Sequence, residues 1–315
     1  MDQASPAAAR DPLILTGAGR ALSRDCDPTP FLKTPKNRKF MGVQDVLAVV
    51  AAGEALKSAG LLGRPLGERA GLFLAVGYIP FEAEDLEKLL EASVEQGELS
   101  LRRFSTDGLA AVNPLLTFRC LSNMPAFHIS VNFDVQGPYF VTYPGPGQFY
   151  NALEQARIAL ESGEVDIALA AASAHQKNFL VTHHFSRVPH PVPAESLEDA
   201  AGCLVLEKAG NAEARGAKIR GKLIDCSISY APHDPFEDPP VPAERFEGAS
   251  LVANAFPDRD RDARPPASTA SVDGIHLGPT SLAVALSKAG PGTVRHRLES
   301  RDGFHAESVW EMVTP

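Results

Sequence analysis

The chain lacks the features that direct a protein to a membrane, to nucleic acid or into a disulfide framework. No apolar run approaches the ~20 residues that a membrane-spanning helix needs. The segment Met1 to Arg10 is rich in alanine but short, and it carries Asp2, which is not the pattern of a secretory signal. Basic charge is in the minority: 30 Lys and Arg against 39 Asp and Glu leave a net charge of −9. That balance disfavours non-specific binding to nucleic acid or to an anionic membrane surface. The one short basic cluster, Lys33-Thr-Pro-Lys-Asn-Arg-Lys39, reads as a solvated loop. Cys26, Cys120, Cys203 and Cys226 show no metal-ligand spacing. Isolated, reduced thiols in a cytoplasmic protein are the expectation.

Cofactor and metal signatures are missing as well. Gly17-Ala-Gly19 would need a third glycine at position 22 to make a dinucleotide fingerprint, and Leu22 stands there. His183, His184 and His190 have no acidic or cysteine partner at ligand spacing, and adjacent histidines on a loop diverge. No cofactor and no metal are expected. Cys120 reads as a small buried hydrophobe, since no histidine beside it would lower its pKa.

The most informative absence lies in Gly137-Pro-Tyr-Phe-Val-Thr-Tyr-Pro-Gly-Pro-Gly-Gln148. This reads as a strand entering a buried helix through a tight, glycine-rich elbow. Helix N-termini of this kind favour a thiolate or an oxyanion, because their N–H groups are free and the dipole is positive there. The elbow, Tyr143 to Gln148, contains neither Cys nor Ser. A nucleophile's seat without a nucleophile points to an enzyme relative that has lost its chemistry.

What remains is an ordinary globular composition, 44% hydrophobic and 22% charged over 315 residues, enough for one large core or two modest ones. Leu13 to Thr16 reads as a first buried strand, with Gly17-Ala-Gly19 as its turn. Val43, Val46, Leu47, Val50 and Leu56 recur at helical spacing and stop at Gly60. Gly71 to Gly77 is a short apolar strand. Beyond the elbow, Phe149, Ala152, Leu153, Ala156 and Leu160 line a helix that ends at Ser162-Gly163, and Val165 to Ala172 follows as a strand of small residues. Leu204 to Lys208 is another strand. Such alternation implies βαβ units in a parallel sheet covered on both faces. From Pro232 to about Pro266 the chain turns rich in Pro, Asp, Glu and Arg and reads as an extended linker or mobile loop. A short helix, Thr280 to Ala289, and a terminal strand around Ser308 to Met312 close the chain.

Taken in order, Asn113-Pro-Leu-Leu116, Leu121-Ser-Asn-Met-Pro-Ala126, Gly137-Pro138, Ala152-Leu-Glu-Gln-Ala156 and Ser162-Gly-Glu-Val-Asp-Ile-Ala-Leu-Ala170 resemble the segment around the nucleophile of β-ketoacyl synthases. Gly53 to Gly60, Ala201 to Glu207 and Ala214 to Ile219 are similar to further parts of that family. The resemblance runs nearly unbroken from about residue 13 to residue 228. It implies a layered αβαβα, thiolase-like fold with an abbreviated C-terminal half. The expected division is residues 1–228 as the N-terminal half, 229–266 as linker or mobile loop, and 267–315 as the shortened remainder.

The same likeness places Pro146 where the family keeps its cysteine. Proline carries no thiolate and no backbone N–H to offer an oxyanion. A slip in register lands on Gly145, Gly147 or Gln148, none of them a nucleophile. The family's His-Gly-Thr-Gly-Thr run is missing. Its Gly-His-x-x-Gly motif is matched only by Gly274-Ile-His-Leu-Gly278, with Ile275 in the histidine's place and His276 one step along. Glu299 to Ala306 is a degraded echo of the last glycine-rich turn. Tyr139, Phe140, Val141, Thr142 and Tyr143 would form the strand through which such proteins dimerise. Pro144, Gly145, Gly147, Gln148 and Phe149 would border a residual acyl pocket. Clustered aromatics there, Tyr150 included, serve core and interface packing or close the acyl space.

The expectation is therefore a catalytically inactive relative, comparable to a chain-length factor, that pairs with an active ketosynthase in fatty-acid or polyketide-type biosynthesis, with acyl carrier protein as a further partner. Two rivals stand beside it: a homodimer that binds acyl thioesters without chemistry, and a malonyl-thioester decarboxylase using Gln148 in the residual pocket.

Overall fold

The computed structural model describes residues 12–145, 147–187, 193–231, 251–252, 270–271, 277–299 and 303–314. Eight strands form one mixed sheet: β1 (Leu13–Ala21), β2 (Ala70–Val76), β3 (Tyr139–Thr142), β4 (Ile167–Ala174), β5 (Ala200–Lys208), β6 (Gly221–Tyr230), β7 (Gly292–Glu299) and β8 (Phe304–Met312). The spatial order is β7-β8-β6-β1-β5-β4-β2-β3, so β3 is an edge strand of that sheet. The principal helices are α1 (Val43–Ser58), α2 (Ala83–Ser93), α3 (Met124–Phe133), α4 (Gln148–Glu161), α5 (Phe179–Arg187) and α6 (Ser281–Lys288).

The parallel sheet expected from the βαβ alternation proves to be mixed. Only β3, β2 and β4 run parallel, while β5, β1, β6, β8 and β7 are antiparallel to their neighbours. Apolar runs report burial and not strand direction; direction follows from the connections. Helix α4 carries the chain back from β3 to a parallel β4. The link from β4 to β5 begins at His175 and ends beside it at Asp199, so β5 must return antiparallel.

Gly17 and Gly19 also differ from expectation: they lie inside β1 and not in a turn. They are there because α1 lies on the strand. A Cβ at Gly17 would come within 2.3 Å of the Ala55 carbonyl, and one at Gly19 within 2.2 Å of the Ala51 carbonyl. Each distance is far inside van der Waals contact, so the strand and helix can meet only where side chains are absent.

Burial alternates along the strands and divides the core in two. Leu72, Leu74, Leu169, Ala171, Cys203 and Val205 face α1 and α3. Phe73, Ala75, Ala170, Leu204 and Leu206 face α4 and α6, which are covered from the other side by residues of β6, β7 and β8, among them Leu223, Leu298 and Trp310. Phe149, Leu153 and Ala156 of α4 are thus buried between two parts of the sheet, as their spacing predicts. Helix α1 starts with the Asp45 carboxylate accepting the Gly42 N–H at 2.7 Å and ends at Gly60, whose φ of +70° is the left-handed value glycine tolerates.

One buried ion pair ties the first half together. Glu207 on β5 is 1% exposed. It accepts Arg215 Nη2 at 2.5 Å and Nε at 2.7 Å, and Thr16 of β1 donates to it at 2.6 Å. Arg215 also donates to the Ala59 carbonyl at 3.0 Å, bringing in the end of α1.

The linker read over 232–266 lies outside the described residues except for Leu251–Val252, which pairs in parallel with Ala270–Ser271. His183 and His184, expected on a loop, sit on α5. No helix is long and apolar enough to cross a membrane among the described residues.

Candidate functional site

The elbow stands at the C-terminal ends of the parallel strands, where helix and loop termini converge. Thr142, the last residue of β3, donates its hydroxyl to the side-chain oxygen of Gln148, the first residue of α4. Asn151 Nδ2 donates to the same oxygen at 3.0 Å. Gly145 has φ +129°, a conformation closed to other residues, and this allows the chain to reverse. The Gln148 N–H returns to the Gly145 carbonyl at 3.3 Å, and the Tyr150 N–H to Gly147 at 3.0 Å. The expected sites Pro146, Ile275 and His276 lie outside the described residues, as does His190.

Gly147 is buried beneath the ring of Phe304, the first residue of β8. A Cβ at 147 would lie 2.2 Å from that ring. The C-terminal segment therefore reaches across to the start of α4 and covers it. Pro144, Gly145 and Gln148 are half-buried around the turn, and Phe149 points into the core at 1% exposure. Tyr143 makes an edge contact with Tyr78, ring centroids 6.5 Å apart, and Tyr78 in turn meets His184 at 6.1 Å. Along β3, Tyr139 is 68% exposed, while Phe140, Val141 and Thr142 are half-buried.

Directly behind the elbow lies a polar network that the sequence reading missed. Tyr150 Oη donates to the His296 carbonyl at 2.9 Å and lies 2.8 Å from His296 Nδ1 and 3.2 Å from Ser308 Oγ. Trp310 Nε1 donates to the same Ser308 oxygen at 3.0 Å. Every member is fully buried. Burial holds the His296 imidazole down to about 3 and pushes the Tyr150 hydroxyl well up, so both are neutral. The available signal was the alternation Val294, His296, Leu298, which puts a histidine on the core-facing side of a strand.

A second buried histidine, also missed, stands at the end of β4. His175 Nδ1 is 2.9 Å from Asp199 Oδ1, and its Nε2 is 3.3 Å from Glu82 Oε1, which Arg24 approaches at 2.6 Å. Burial acts to raise the Asp199 carboxyl, but the His175 contact and the Lys177 N–H at 3.0 Å hold it below its ordinary value. A histidine directly after an all-small strand was its sequence signal. Cys120 is buried, and Cys203 is pushed up to about 12 by burial. Among the described residues no group of three or more His, Cys, Asp or Glu could hold a metal ion.

A mixed sheet with its central helix buried beneath a second run of strands, entered through an elbow at the parallel strand ends, defines a thiolase-like protein. The model of the β-ketoacyl synthase N-terminal domain matches residues 7–195, more than half of the chain. The chain belongs to the β-ketoacyl synthase family.

Three of the solved structures that share its fold illustrate the likeness. One comes from a type II polyketide synthase acyl-carrier protein in complex with its ketosynthase bound to the hexaketide, with 15% identity, 96% of this chain and 100% of that chain covered, and a TM-score of 0.71. Another is the ishigamide ketosynthase/chain length factor, with 19% identity, the same coverages of 96% and 100%, and a TM-score of 0.65. The third is a β-ketoacyl synthase from Burkholderia phymatum STM815, with 13% identity, again 96% and 100%, and a TM-score of 0.64. At such identities these likenesses establish the thiolase-like fold alone. No curated protein matches the chain.

Proposed function

We propose that this chain is a non-catalytic β-ketoacyl synthase relative that serves as the partner subunit of an active ketosynthase, in the manner of a chain-length factor, in fatty-acid or polyketide-type biosynthesis. The observation that carries the reading is the elbow itself: Tyr143 to Gln148 offers Pro146 where the family aligns its cysteine. Packing of Phe304 on Gly147 adds support, because it leaves little room at the start of α4 for a thioester to approach. The flanking residues Pro144, Gly145 and Gln148 would then shape an acyl path at the subunit boundary and perform no bond-making, while Phe149, expected to border it, is packed in the core.

The edge position of β3 supports pairing through Tyr139 to Tyr143. An edge strand left open invites uncontrolled association. The likeness to a ketosynthase/chain length factor and to an acyl-carrier protein–ketosynthase complex supports a synthase as partner and a carrier protein as visitor. The proposed division stays at 1–228, 229–266 and 267–315. The decarboxylase alternative is the weaker one, because the Gln148 side-chain oxygen is already engaged by Thr142 and Asn151.

The test is incubation of the purified chain with radiolabelled acyl and malonyl thioesters, alone and together with the synthase encoded nearest to it. No covalent label and no condensation are expected from the chain alone, with co-purification of the pair. Label mapped to any residue between 143 and 150 would refute the loss of chemistry. A stable homodimer that ignores the synthase would transfer the reading to the self-paired, acyl-thioester-binding form.

A further inference from the structure

At the opposite end of the sheet from the elbow, near the start of β2, a groove of about 330 Å³ opens between residues 30–33, the turn 61–65 and the end of α3. Its floor is apolar and firm. Leu56 and Leu61 are buried at 1% and 4%, and Phe133 at 6%. The Phe31 ring is wedged against α1 so closely that a Cβ at Gly53 would lie 2.3 Å from it. In the wall, Asn132 accepts the Lys33 N–H at 2.9 Å and donates to the His128 carbonyl at 2.8 Å.

The rim has the opposite character. Lys33 Nζ is paired with Asp134. Arg64, exposed on the other lip, has no hydrogen-bond or ion-pair partner for its guanidinium among the described residues. Two cations against one carboxylate leave the rim positive in a chain whose net charge is −9. Lys33 also begins the basic run Lys33 to Lys39, whose residues 35–40 form a helical turn directly after the groove-lining segment. An apolar floor under a positive lip selects for a ligand that is apolar in body and negative at one end. At about 30 Å³ per water-sized atom, the volume holds on the order of ten non-hydrogen atoms.

We infer that this groove is a second ligand site, separate from the elbow, that takes a small amphiphilic carboxylate with its head at Arg64 and its body over Leu61 and Phe133. The experiment is a titration of the chain, residues 1–315, with octanoate, followed by methyl NMR, with the neutral isostere octanamide in parallel and the Arg64→Gln variant as the second arm. Saturable shifts are expected at Leu56, Leu61 and Leu62. Octanamide should bind about fivefold more weakly, the size of one exposed charge contact. Arg64→Gln should weaken octanoate by the same factor and leave octanamide unchanged. Shifts that fail to saturate, that gather at Val141 and Leu153 near the elbow, or that are equal for octanoate and octanamide would overturn the assignment, as would an Arg64→Gln protein that binds octanoate like the wild type.

Discussion

The Phe304 ring lies so close over Gly147 that a Cβ there would be 2.2 Å away, which joins the last strand of the chain to the first turn of its central helix. A contact of this kind constrains both residues at once. Gly147 has an ordinary φ of −77°, so its need for glycine comes from the ring and not from the backbone.

Gly147→Ala should therefore destabilise the protein by overpacking, by about 1–3 kcal/mol. Adding Phe304→Ala should return part of that loss, since the two substitutions share one space. Urea unfolding of the single and double variants measures the coupling. Strict additivity would show that the ring does not constrain position 147.

The Glu207–Arg215 pair should be costly to break and cheap to replace. Arg215→Met leaves a carboxylate that is 1% exposed without its cation, and a loss of about 3–5 kcal/mol is expected. The double variant Glu207→Leu/Arg215→Met should recover most of it, because desolvation of both charges is relieved together. Denaturant midpoints decide the matter, and a double variant no better than Arg215→Met would count against the argument.

His296 should make the fold sensitive to acid. Its folded-state pKa, about 3, lies below the ordinary imidazole value. The unfolded chain therefore binds a proton that the native protein refuses. This contribution is complete above about pH 6.5 and is lost as the pH falls toward the folded value, at up to about 1.4 kcal/mol per pH unit. Unfolding titrations of the wild type and His296→Gln from about pH 7 to about pH 5 should show a shallower decline in the variant. Parallel declines would remove His296 from the account.

The proposed interface makes the sharpest functional prediction. Phe140→Asp puts a charge on the half-buried edge strand β3 and should abolish the complex with the synthase partner or render the chain insoluble. Gel filtration with light scattering reads the outcome. A variant that still forms the complex with unchanged affinity would place the interface elsewhere.

Much of the first half was legible in the sequence because its signals are local. Helix α1 needs only its apolar spacing and Gly60; α4 needs Phe149, Leu153 and Ala156 on one side; the elbow announces itself by Tyr143-Pro-Gly-Pro-Gly-Gln148. These features follow from the conformational limits of glycine and proline and from the helical repeat, which neighbouring residues suffice to express. That Tyr143 to Gln148 contains neither Cys nor Ser is equally a matter of residue identity.

Strand direction, the place of Gly17 and Gly19, and the buried groups around α4 were decided only in three dimensions. Gly19 looks like a turn residue until Ala51 of α1 is found beside it, 32 positions along the chain. Tyr150 and His296 are 146 residues apart, and His175 and Asp199 are 24 apart, so no short window joins them. A periodic pattern records which side of an element is buried. What it is buried against, and which polar groups must then find partners, depends on packing between distant segments, and that is a property of the folded chain alone.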